Sequence, residues 1–538
     1  MRLEHIDIPV NNKLLSDYWS DNEILHSFFE YKFNDGAFKT RFEYLKSKHY
    51  YNKELSGIIR QFMEPIGISE KVSENLEALE NGAVAIVGGQ QAGILTGPLY
   101  SVHKAISVIL LAKEQSVKLG EKIVPIFWIA GEDHDLEEIN HTYTIVNGAT
   151  KKRAYGERSK LKTMASTTTI QKEQLQKVIK TVFQDFGESE YTQALYKNCI
   201  SQLQQSETFT EFFARLMNDL FKNEGLLMID AAYEPFRQYE SNFFVKMIEL
   251  NEQIAKVVVD KEQALESAGF GSPIGAKAES ANLFYIHEGE RFLLERKGRL
   301  YQDATGLITL SEDELLEVAK KSPEKLSNNV VTRPLMQEMA IPVLAFVGGP
   351  GELAYWATLK DAFTVLDLQM PILAPRLNIT LVERKIEQLL STYQLSILDI
   401  LEGKAQSLKE QYISSVQDAK AKEQLAALNQ LVKERYEKLD EHLKTQQLDL
   451  QAIVEKNMKY HEMQFDYLSK KIEQQVLAKH EKTIRQFDLM QLEIHPNESL
   501  QERVYNPFQY LNHYGPTLIE DLCALPMEIG NKHYVILL

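Results

Sequence analysis

The sequence is poor in cysteine, since Cys199 and Cys523 are the only two among 538 residues. Two thiols cannot staple a chain of this length, and the sequence therefore predicts a reducing compartment. Long apolar runs are also missing: Val108–Ala112 and Val124–Ala130 are too short to span a bilayer. The first residues carry acids where a signal peptide has a basic start. We therefore predict a cytoplasmic protein without a membrane partner.

Basic residues are in deficit. Lys and Arg number 60 against 76 Asp and Glu, giving a formal net charge of −16. Such a charge argues against broad nucleic-acid binding, which needs a basic face that displaces counterions. It leaves room for an anionic small substrate, because a few Arg and Lys side chains can reverse the field inside one cleft. The length predicts about three domains of ordinary globular composition.

Glycine and proline are both absent from residues 404–495. Good helix formers (Gln, Glu, Lys, Leu and Ala) dominate this stretch. Apolar residues recur there at spacings of three and four in two series, Leu425–Leu443 and Leu450–Val476. The pattern predicts an antiparallel α-helical coiled-coil hairpin that turns near Thr445–Asp449. Because a two-helix arm buries little by itself, we expect a homodimer through this coiled coil.

Short, wholly apolar runs followed by glycine mark buried parallel strands. Ala83–Val87 is followed by Gly88 and Gly89, then by a helical stretch, Ser101–Lys118, and by a second apolar run, Ile123–Ala130. This strand–turn–helix–strand order is a βαβ unit. The same order recurs later in the chain: the run Gly225–Asp230 precedes a helical stretch near 234–258, and Val343–Val347 precedes a helical stretch over Glu352–Leu366. Pro371–Ala374 is a further apolar run of strand length. The sequence thus predicts an α/β fold with a Rossmann-like parallel-sheet core.

The remaining stretches read as additions to that core. The first eighty residues have a helical pattern, residues 141–170 suggest short strands, and residues 280–310 suggest hairpins before a helix capped at Ser311. The predicted organisation is a helical lead-in with the first half of the core (1–140), an insertion (141–215), core (216–258), a second insertion (259–330), the second half of the core (331–384), the coiled-coil hairpin (385–490) and a C-terminal segment packing on the core (491–538).

The glycine-rich turn after the first strand is the first candidate site. Glycines let the backbone approach a ligand closely, and the following helix N-terminus attracts anions. His103 and Lys104 on that helix reinforce the anion prediction, although a plain tight turn with solvent-facing basic residues is the alternative. The candidate substrate- or anion-binding residues are Gln90, Gln91, Gly93, Thr96, Gly97, Tyr100, His103 and Lys104.

An acidic cluster with one histidine follows the second strand. Glu132, Asp133, His134 and Asp135 are the candidate catalytic residues, because they could take a proton, hold an ammonium group or bind a cation. No cysteine or second spaced histidine accompanies them, so a structural zinc site is not predicted, and the identity of any metal stays unknown. An acidic helix N-terminus is the alternative reading.

Two later stretches complete the candidates. Around the turn Gly348–Gly351, arginine could grip a carboxylate or phosphate, which gives Arg333, Glu352, Tyr355, Trp356 and Arg376 as further substrate- or anion-binding residues. The alternative places Tyr355 and Trp356 in the core and the arginines at the surface. Behind the hairpin, an aromatic, amide and arginine mixture would suit a nucleotide, with a plain docking segment as the alternative. The candidate nucleotide-binding residues are Gln501, Arg503, Tyr505, Asn506 and Phe508.

Four of these motifs resemble a known family, the cysteine ligases of bacillithiol biosynthesis (BshC). They are Gly-Gln-Gln-Ala-Gly…Thr-Gly-Pro-Leu-Tyr (89–100), Trp-Ile-Ala-Gly-Glu-Asp-His-Asp (128–135), Gly-Gly-Pro-Gly-Glu (348–352) and Leu-Gln-Glu-Arg (500–503). The resemblance covers the whole chain. It implies a Rossmann-type core related to class I cysteinyl-tRNA synthetases, with the two insertions as connecting peptides.

The resemblance also implies an activity: amide-bond formation between the cysteine carboxyl group and the amine of glucosaminyl malate, the last step of bacillithiol biosynthesis. ATP or another adenine nucleotide, with Mg²⁺, is the expected cofactor. In this scheme Arg333 and Arg376 grip the malate carboxylates. The chain lacks the His-x-Gly-His and Lys-Met-Ser-Lys-Ser motifs of those synthetases, so the route of carboxyl activation stays open. A metal-dependent hydrolase built on Glu132–Asp135 and a coiled-coil assembly scaffold are the alternatives.

Overall fold

A computed structural model describes residues 1–8, 12–156 and 162–538. The described chain forms two compact units. The first unit joins Met1–Leu381 with Ser499–Leu538, and the second unit is Val382–Glu498. Among the described helices, none is both long enough and apolar enough to cross a membrane.

The strands are short, and most of them belong to the first unit. In chain order they are β1 (Arg2–Ile6), β2 (Val84–Gln90), β3 (Ile123–Ile129), β4 (His141–Val146), β5 (Ala149–Ala154), β6 (Leu227–Asp230), β7 (Ser280–His287), β8 (Glu290–Lys297), β9 (Leu300–Asp303), β10 (Thr309–Ser311), β11 (Leu326–Asn328), β12 (Val343–Gly348), β13 (Ile372–Pro375), β14 (Asn378–Val382) and β15 (His533–Leu537).

Helices surround these strands and form the whole of the hairpin. The α-helices are α1 (Lys13–Trp19), α2 (Asp35–Ser47), α3 (Asn52–Met63), α4 (Glu70–Glu80), α5 (Leu99–Leu119), α6 (Leu136–Ile139), α7 (Lys172–Phe186), α8 (Thr192–Gln204), α9 (Phe209–Phe221), α10 (Glu234–Tyr239), α11 (Ser241–Glu249), α12 (Asn251–Ser267), α13 (Glu312–Lys321), α14 (Thr332–Ala340), α15 (Pro350–Trp356), α16 (Lys360–Val365), α17 (Arg384–Tyr393), α18 (Ile397–Leu401), α19 (Lys404–Val416), α20 (Ala419–Thr445), α21 (Gln451–Lys479), α22 (Glu481–Ile494), α23 (Pro507–Tyr514) and α24 (Leu518–Ala524). Short 3₁₀ turns lie at Glu23–Ser27, Ile94–Thr96, Lys222–Glu224, Pro323–Lys325, Pro496–Glu498 and Gln501–Arg503.

The predicted Rossmann-like core is confirmed. Its five parallel strands lie in the order β13-β12-β2-β3-β6. Every residue of β3 is buried, as expected for a strand covered on both faces. Helix α5 packs closely against β2: a side chain at Gly88 would lie 2.7 Å from Val108 of that helix. All five strands of this sheet run in the same direction, so their carboxyl ends meet at one edge of the sheet.

The helical interpretation of the first residues is wrong for Arg2–Ile6. This segment is β1, and it pairs antiparallel with β15 from the other end of the chain. In the sheet β1-β15-β14, the strand is stabilised by a partner that a local pattern cannot reveal. Two predicted helices are also interrupted. Residues 234–258 contribute to α10, α11 and α12, and the helix expected over Glu352–Leu366 breaks where Thr358 Oγ donates to the Tyr355 carbonyl, 2.7 Å away.

The predicted insertions form separate small sheets. β4 pairs with β5, whereas the remaining part of the strand prediction over 141–170 includes residues 157–161, which lie outside the described residues. The hairpins predicted over 280–310 are present in a sheet ordered β10-β9-β8-β7-β11. Ser311 caps α13 through a capping box with Glu314, as its sequence indicates.

The second unit contains the predicted coiled-coil hairpin. One arm consists of α19 and α20, and the returning arm consists of α21 and α22. The turn lies between Thr445 and Gln451, which confirms its predicted position. Neither α20 nor α21 contains a buried residue. The hairpin prediction, 385–490, lies within the unit Val382–Glu498.

Candidate functional site

A cleft of about 500 Å³ opens at the carboxyl ends of the central strands. The chain runs from β2 towards β3 and β6 on one side and places β12 and β13 on the other, so the switch in strand order falls between β2 and β12. Ligands of open α/β sheets bind at such a point. The cleft is lined by Gly89, Gln90, Gln91, Tyr100, Lys104, Trp128, Ala130, Asp133, Glu138, Arg333, Gly349, Pro350, Gly351, Glu352, Tyr355, Arg376 and Arg503.

Three of the four candidate stretches converge at this edge, and the fourth contributes one residue. The sequence-predicted residues that line the cleft are Gln90, Gln91, Tyr100, Lys104, Asp133, Arg333, Glu352, Tyr355, Arg376 and Arg503. Among the described side chains, the cleft has four basic and three acidic members, whereas the whole chain has a net charge of −16. The balance of charge is thus reversed locally, as an anionic substrate requires.

Lys104 is held at the floor between two strand ends. Its ammonium group donates to the Gly89 carbonyl over 2.8 Å and to Gln90 Oε1 over 3.2 Å, and it contacts the Glu352 carboxylate. Burial lowers the pKa of Lys104, and the Glu352 carboxylate opposes that shift. Glu352 also accepts from the Gly349 amide at 2.8 Å. The cation is therefore fixed before any ligand arrives.

Two arginines line the side of the cleft formed by β12 and β13. Arg333 donates to Gln337 Oε1 over 3.1 Å and to the Tyr355 hydroxyl, and its guanidinium lies over the ring of Phe346. Arg376 donates to Glu502 over 2.7 Å and to the Leu377 carbonyl over 3.0 Å. A guanidinium has five N–H donors, so each arginine keeps donors for a ligand.

Glu502 is a buried carboxylate beneath the cleft. It joins Arg376 to His103, whose Nδ1 lies 2.9 Å from Glu502 Oε2. Burial alone would raise the pKa of Glu502, but the Arg376 guanidinium and the hydrogen bonds from His103 and Arg376 hold it well below its ordinary value. His103 does not line the cleft: it is wholly buried, and burial lowers its pKa. The structure therefore gives His103 an internal partner in the position where the sequence suggested an anion.

Arg503 is the basic side chain of the cleft without a partner in the described structure. It is exposed, although Glu502 and Val504 on either side are buried. Exposed arginine without a carboxylate partner retains its full capacity for a bidentate grip on a carboxylate or phosphate.

Asp133 lies at the opposite wall, held by an amide. Gln91 Nε2 donates to Asp133 Oδ2 over 2.5 Å and to Glu138 Oε2 over 2.9 Å. Asp133 Oδ1 accepts from the Asp135 amide at 3.2 Å. Asp135 itself is exposed and is not part of the lining of the cleft. Of the two aspartates proposed from sequence, Asp133 is thus the one in the cleft.

His134 points to a second cavity and has a defined tautomer. Arg291 Nη1 lies 3.0 Å from His134 Nδ1. Because arginine can only donate, Nδ1 accepts, and the proton of the neutral ring is on Nε2. Burial lowers the pKa of His134, and the Arg291 charge lowers it further. A neutral ring with an Nε2 proton can donate to a substrate, whereas it has no free nitrogen with which to act as a base.

Glu132 has a structural role. It is buried and accepts hydrogen bonds from Arg237, from Ser327 Oγ at 3.0 Å and from the Asn328 amide at 3.1 Å. The sequence suggested that residues 132–135 could bind a cation together. Among the described residues, no three His, Cys, Asp or Glu side chains are grouped as metal ligands. Glu132 is engaged by these three donors and does not join Asp133 and His134 in a ligand group among the described residues.

The loop Gly93–Gly97 is held from behind rather than open to the cleft. The Asn506 amide donates to the carbonyls of Leu95 and Gly97, both over 2.8 Å. A side chain at Gly93 would lie 2.8 Å from the Gly97 Cα, and Gly97 has φ of 73°, which glycine adopts without strain. Thr96 is buried in the same turn. The Leu99 amide, at the start of α5, donates to the Tyr505 carbonyl over 2.8 Å.

The other members of the predicted nucleotide-binding stretch are interior residues, as is the aromatic candidate Trp356. Gln501 pairs with the backbone of Leu381, and Tyr505 and Phe508 are buried. Trp356 is fully buried and stacks between Phe346 and Phe363. These side chains hold the fold in the described structure, and a binding role for them stays a prediction.

A second cavity of about 530 Å³ adjoins the first. We call it the side chamber. It shares Ala130, Asp133 and Arg333 with the cleft and extends towards β7, β8 and β11. Sequence reasoning missed this chamber, because most of its lining comes from residues 274–295 and 328–330, which carry no motif. It also missed Trp128 and Glu502, although both lie inside the quoted motifs and could have been singled out there.

Comparison with known proteins agrees with the Rossmann-like and coiled-coil parts of this fold. The family description "Bacillithiol biosynthesis BshC, N-terminal Rossmann-like domain" matches residues 1–377, and "Bacillithiol biosynthesis BshC, C-terminal coiled-coil domain" matches residues 379–538. The chain is 59% identical over 538 residues to the "Putative cysteine ligase BshC" of Lysinibacillus sphaericus. It is 37% identical over 548 residues to the protein of that name from Geobacillus kaustophilus, and 35% identical over 541 residues to that of Bacillus licheniformis. Each alignment covers 100% of both chains. The chain therefore belongs to the BshC family of bacillithiol biosynthesis.

Proposed function

We propose that this protein is a ligase that joins the carboxyl group of cysteine to the amine of glucosaminyl malate in the last step of bacillithiol biosynthesis. The relatives are named cysteine ligases. The observation that carries the proposal is the cleft at the switch point, where arginines face a carboxylate held by Gln91. The two substrates together present carboxylates and an amine, which are the groups that these side chains can bind.

The arginines are assigned to the malyl carboxylates. Arg333 and Arg376 are preset by bonds to Tyr355 and Glu502, and each retains unused donors. Arg503 has no competing partner among the described residues and is free to complete the grip. Two carboxylates held by three guanidinium groups would fix the distance between the amine and the acyl carbon, which is the main requirement of a two-substrate reaction.

Asp133 is assigned to the amine. An ammonium group must lose a proton before it can attack a carbonyl carbon, and a carboxylate within hydrogen-bond reach is the simplest acceptor. Gln91 fixes one Asp133 oxygen, and the Asp135 amide approaches the other. His134 would donate from Nε2 and orient the substrate without taking the proton.

The cysteine carboxylate needs activation, for which we propose ATP or another adenine nucleotide with Mg²⁺. When bound, ATP would supply the phosphoryl or adenylyl group that turns the carboxylate into an acyl donor, and the route between the two stays open. The basic members of the cleft fit phosphate oxygens. Glu138, which is not assigned to the amine, offers a carboxylate of the kind that nucleotide-bound Mg²⁺ takes from a protein. The interior positions of Gln501, Tyr505 and Asn506 do not fit a nucleotide in this conformation.

The partner proposed for the hairpin is a second copy of the chain. On α21, Ile453, Tyr460 and Tyr467 follow one another at intervals of seven residues and are 61%, 55% and 59% exposed. Residues seven apart lie on nearly the same face of a helix. The double variant Tyr460→Glu and Tyr467→Glu should convert a dimer into a monomer in sedimentation equilibrium. The double variant Lys456→Gln and Lys470→Gln, which lowers the net charge by the same amount at exposed polar positions of that helix, is the control.

The proposed function is tested in the cell. Deleting the coding sequence should abolish bacillithiol and cause glucosaminyl malate to accumulate, and the full-length protein should restore both levels. A deletion strain with normal bacillithiol would overturn the proposal. Removing residues 405–490 distinguishes the ligase from the scaffold alternative. A scaffold would lose all function with its hairpin, whereas a ligase whose cleft lies in the first unit should retain some turnover. A cytoplasmic location is part of the proposal.

A further inference from the structure

We propose that the side chamber binds the sugar ring of the amine substrate and that Asn328 recognises its hydroxyl groups. This inference rests on the proposed function and adds to it a place for one part of one substrate. The chamber adjoins the cleft at Asp133 and Arg333, which line both cavities. A molecule that extends across this boundary can place an amine beside Asp133 and a carboxylate beside Arg333.

Asn328 is the observation that points to a ligand. It ends β11, lines the chamber and is 2% exposed. Among the residues that the structure describes, neither its side-chain nitrogen nor its side-chain oxygen has a hydrogen-bond partner. Burying an amide with both functions unsatisfied costs stability, and native proteins rarely leave such a group empty without a reason. Its neighbour Asn329 is, by contrast, fully engaged: it donates to Asn282 and accepts from the amides of Val331 and Thr332.

The unsatisfied side-chain amide of Asn328 indicates the chemistry of its ligand. An amide presents a donor and an acceptor together, so its complement is a group that both accepts and donates. A hydroxyl group does both, whereas a carboxylate or a phosphate only accepts and would be repelled by the amide oxygen. Two neighbouring hydroxyls, as on a pyranose ring, can engage both atoms of one amide.

The other walls of the chamber fit a sugar ring. Phe284, Leu293 and Val330 supply apolar surface, and Ser280 and Asn282 supply further polar groups. The charged Arg291 is already committed: it lies 3.9 Å above the Phe284 ring, bonds His134 and donates to the Asn328 carbonyl. Apolar faces with a few placed polar groups are typical of small-molecule sites. Arg291 thereby holds His134 and the Asn328 backbone in one rigid arrangement.

The position of the chamber also suits the substrate. In glucosaminyl malate the amine is on the ring carbon next to the one that carries malate. A ring in the chamber would therefore place both the amine and the malyl group at its mouth, beside Asp133 and Arg333. The cleft remains for the malyl carboxylates and the acyl donor.

The test measures binding to the full-length protein by calorimetry with two probes, glucosaminyl malate and free malate. Asn328→Leu should raise the Kd of glucosaminyl malate by about tenfold or more, because two hydrogen bonds are lost, and should leave the Kd of malate unchanged. Arg503→Ala, the matched control in the cleft, should weaken both probes. The melting temperature of Asn328→Leu should equal or exceed that of the wild type, since a leucine of similar size has no unsatisfied polar atoms.

A second variant reaches the chamber from an exposed position. Leu293 is 43% exposed, so Leu293→Trp should fold and fill the chamber, which would again weaken glucosaminyl malate and spare malate. Wild-type affinity for glucosaminyl malate in both variants would overturn this inference and leave the proposed function intact. Failure of the wild-type protein to bind glucosaminyl malate would instead overturn both.

Discussion

The wall of the cleft and the layer beneath it use the same charged residue types in opposite ways. In the layer beneath, Glu502 is buried and bonded to both His103 and Arg376. On the wall, the adjacent Arg503 is exposed and has no partner among the described residues. Buried charges must be paired, and removing one partner is costly, whereas an exposed charge contributes little to folding. Substitutions in the layer beneath the cleft should therefore change stability, whereas substitutions on the wall should change ligand binding.

The largest expected effect is on stability, from Glu502→Gln. This change leaves the Arg376 guanidinium buried without its carboxylate, and we expect the free energy of unfolding to fall by about 3–5 kcal/mol. Urea denaturation followed by circular dichroism measures the loss. Arg503→Gln is the control, one residue away, and should change stability by less than about 0.5 kcal/mol. Equal losses of unfolding free energy in Glu502→Gln and Arg503→Gln would contradict this difference between the two regions.

The next effect is a pH dependence of stability in the same layer. His533 is buried, Thr380 Oγ lies 2.8 Å from its Nε2, and burial lowers its pKa to about 4. The unfolded chain binds a proton near pH 6.5 and the folded protein does not. Stability from this group is therefore present above pH 6.5 and falls by about 3 kcal/mol as the pH drops to 4. Denaturation at several pH values measures the fall, and His533→Gln should reduce it.

On the wall, Asp133→Asn should lower turnover by about 100-fold with little change in stability. The amide keeps the shape of the carboxylate but cannot accept the amine proton, and positioned bases contribute about 10²–10⁴-fold. The rate of bacillithiol formation from cysteine, glucosaminyl malate and ATP is the measurement. The exposed Asp135→Asn is the matched control and should retain nearly full turnover. A larger loss of turnover in Asp135→Asn than in Asp133→Asn would instead identify Asp135 as the base.

The smallest effect is expected from Arg503→Ala. It removes one of the three guanidinium groups assigned to the malyl carboxylates, and a lost charged hydrogen bond should raise the KM for glucosaminyl malate by about tenfold. The KM for cysteine should change little, and the melting temperature should not move. A drop in stability would show that Arg503 belongs to the lower layer.

Local patterns predicted the parts of this molecule that are locally determined. The run Ala83–Val87 with its glycines, the helix from Leu99 and the hairpin turn after Thr445 could be placed because neighbours in sequence cause them. The burial of single side chains was harder to predict from the sequence. Tyr355 and Trp356 are adjacent in one motif, yet Tyr355 lines the cleft and Trp356 stacks in the core. Which face of α15 meets the sheet depends on packing partners far along the chain.

The same limit explains the residues that sequence reasoning missed. The role of Glu502 depends on the chain returning to the first unit after the hairpin, which brings it to Arg376 and His103. Asn328 and Arg291 meet only because β11 and β8 both join β7 in one sheet. β1 became a strand through β15 at the other end of the chain. Each of these features is a long-range contact, and none of them produces a periodic pattern in the sequence.

The return of Ser499–Leu538 to the first unit has a consequence for biosynthesis on the ribosome. When residue 381 emerges, His103 and Arg376 still lack their carboxylate, and β1 lacks β15. The intervening hairpin and tail take roughly 8–30 s to translate at about 5–20 residues per second. The Rossmann-like core thus cannot finish folding while residues 1–381 are being synthesised, and its final assembly must wait until Ser499–Leu538 has emerged. A nascent chain stalled within the hairpin would expose an unfinished core to chaperones and proteases.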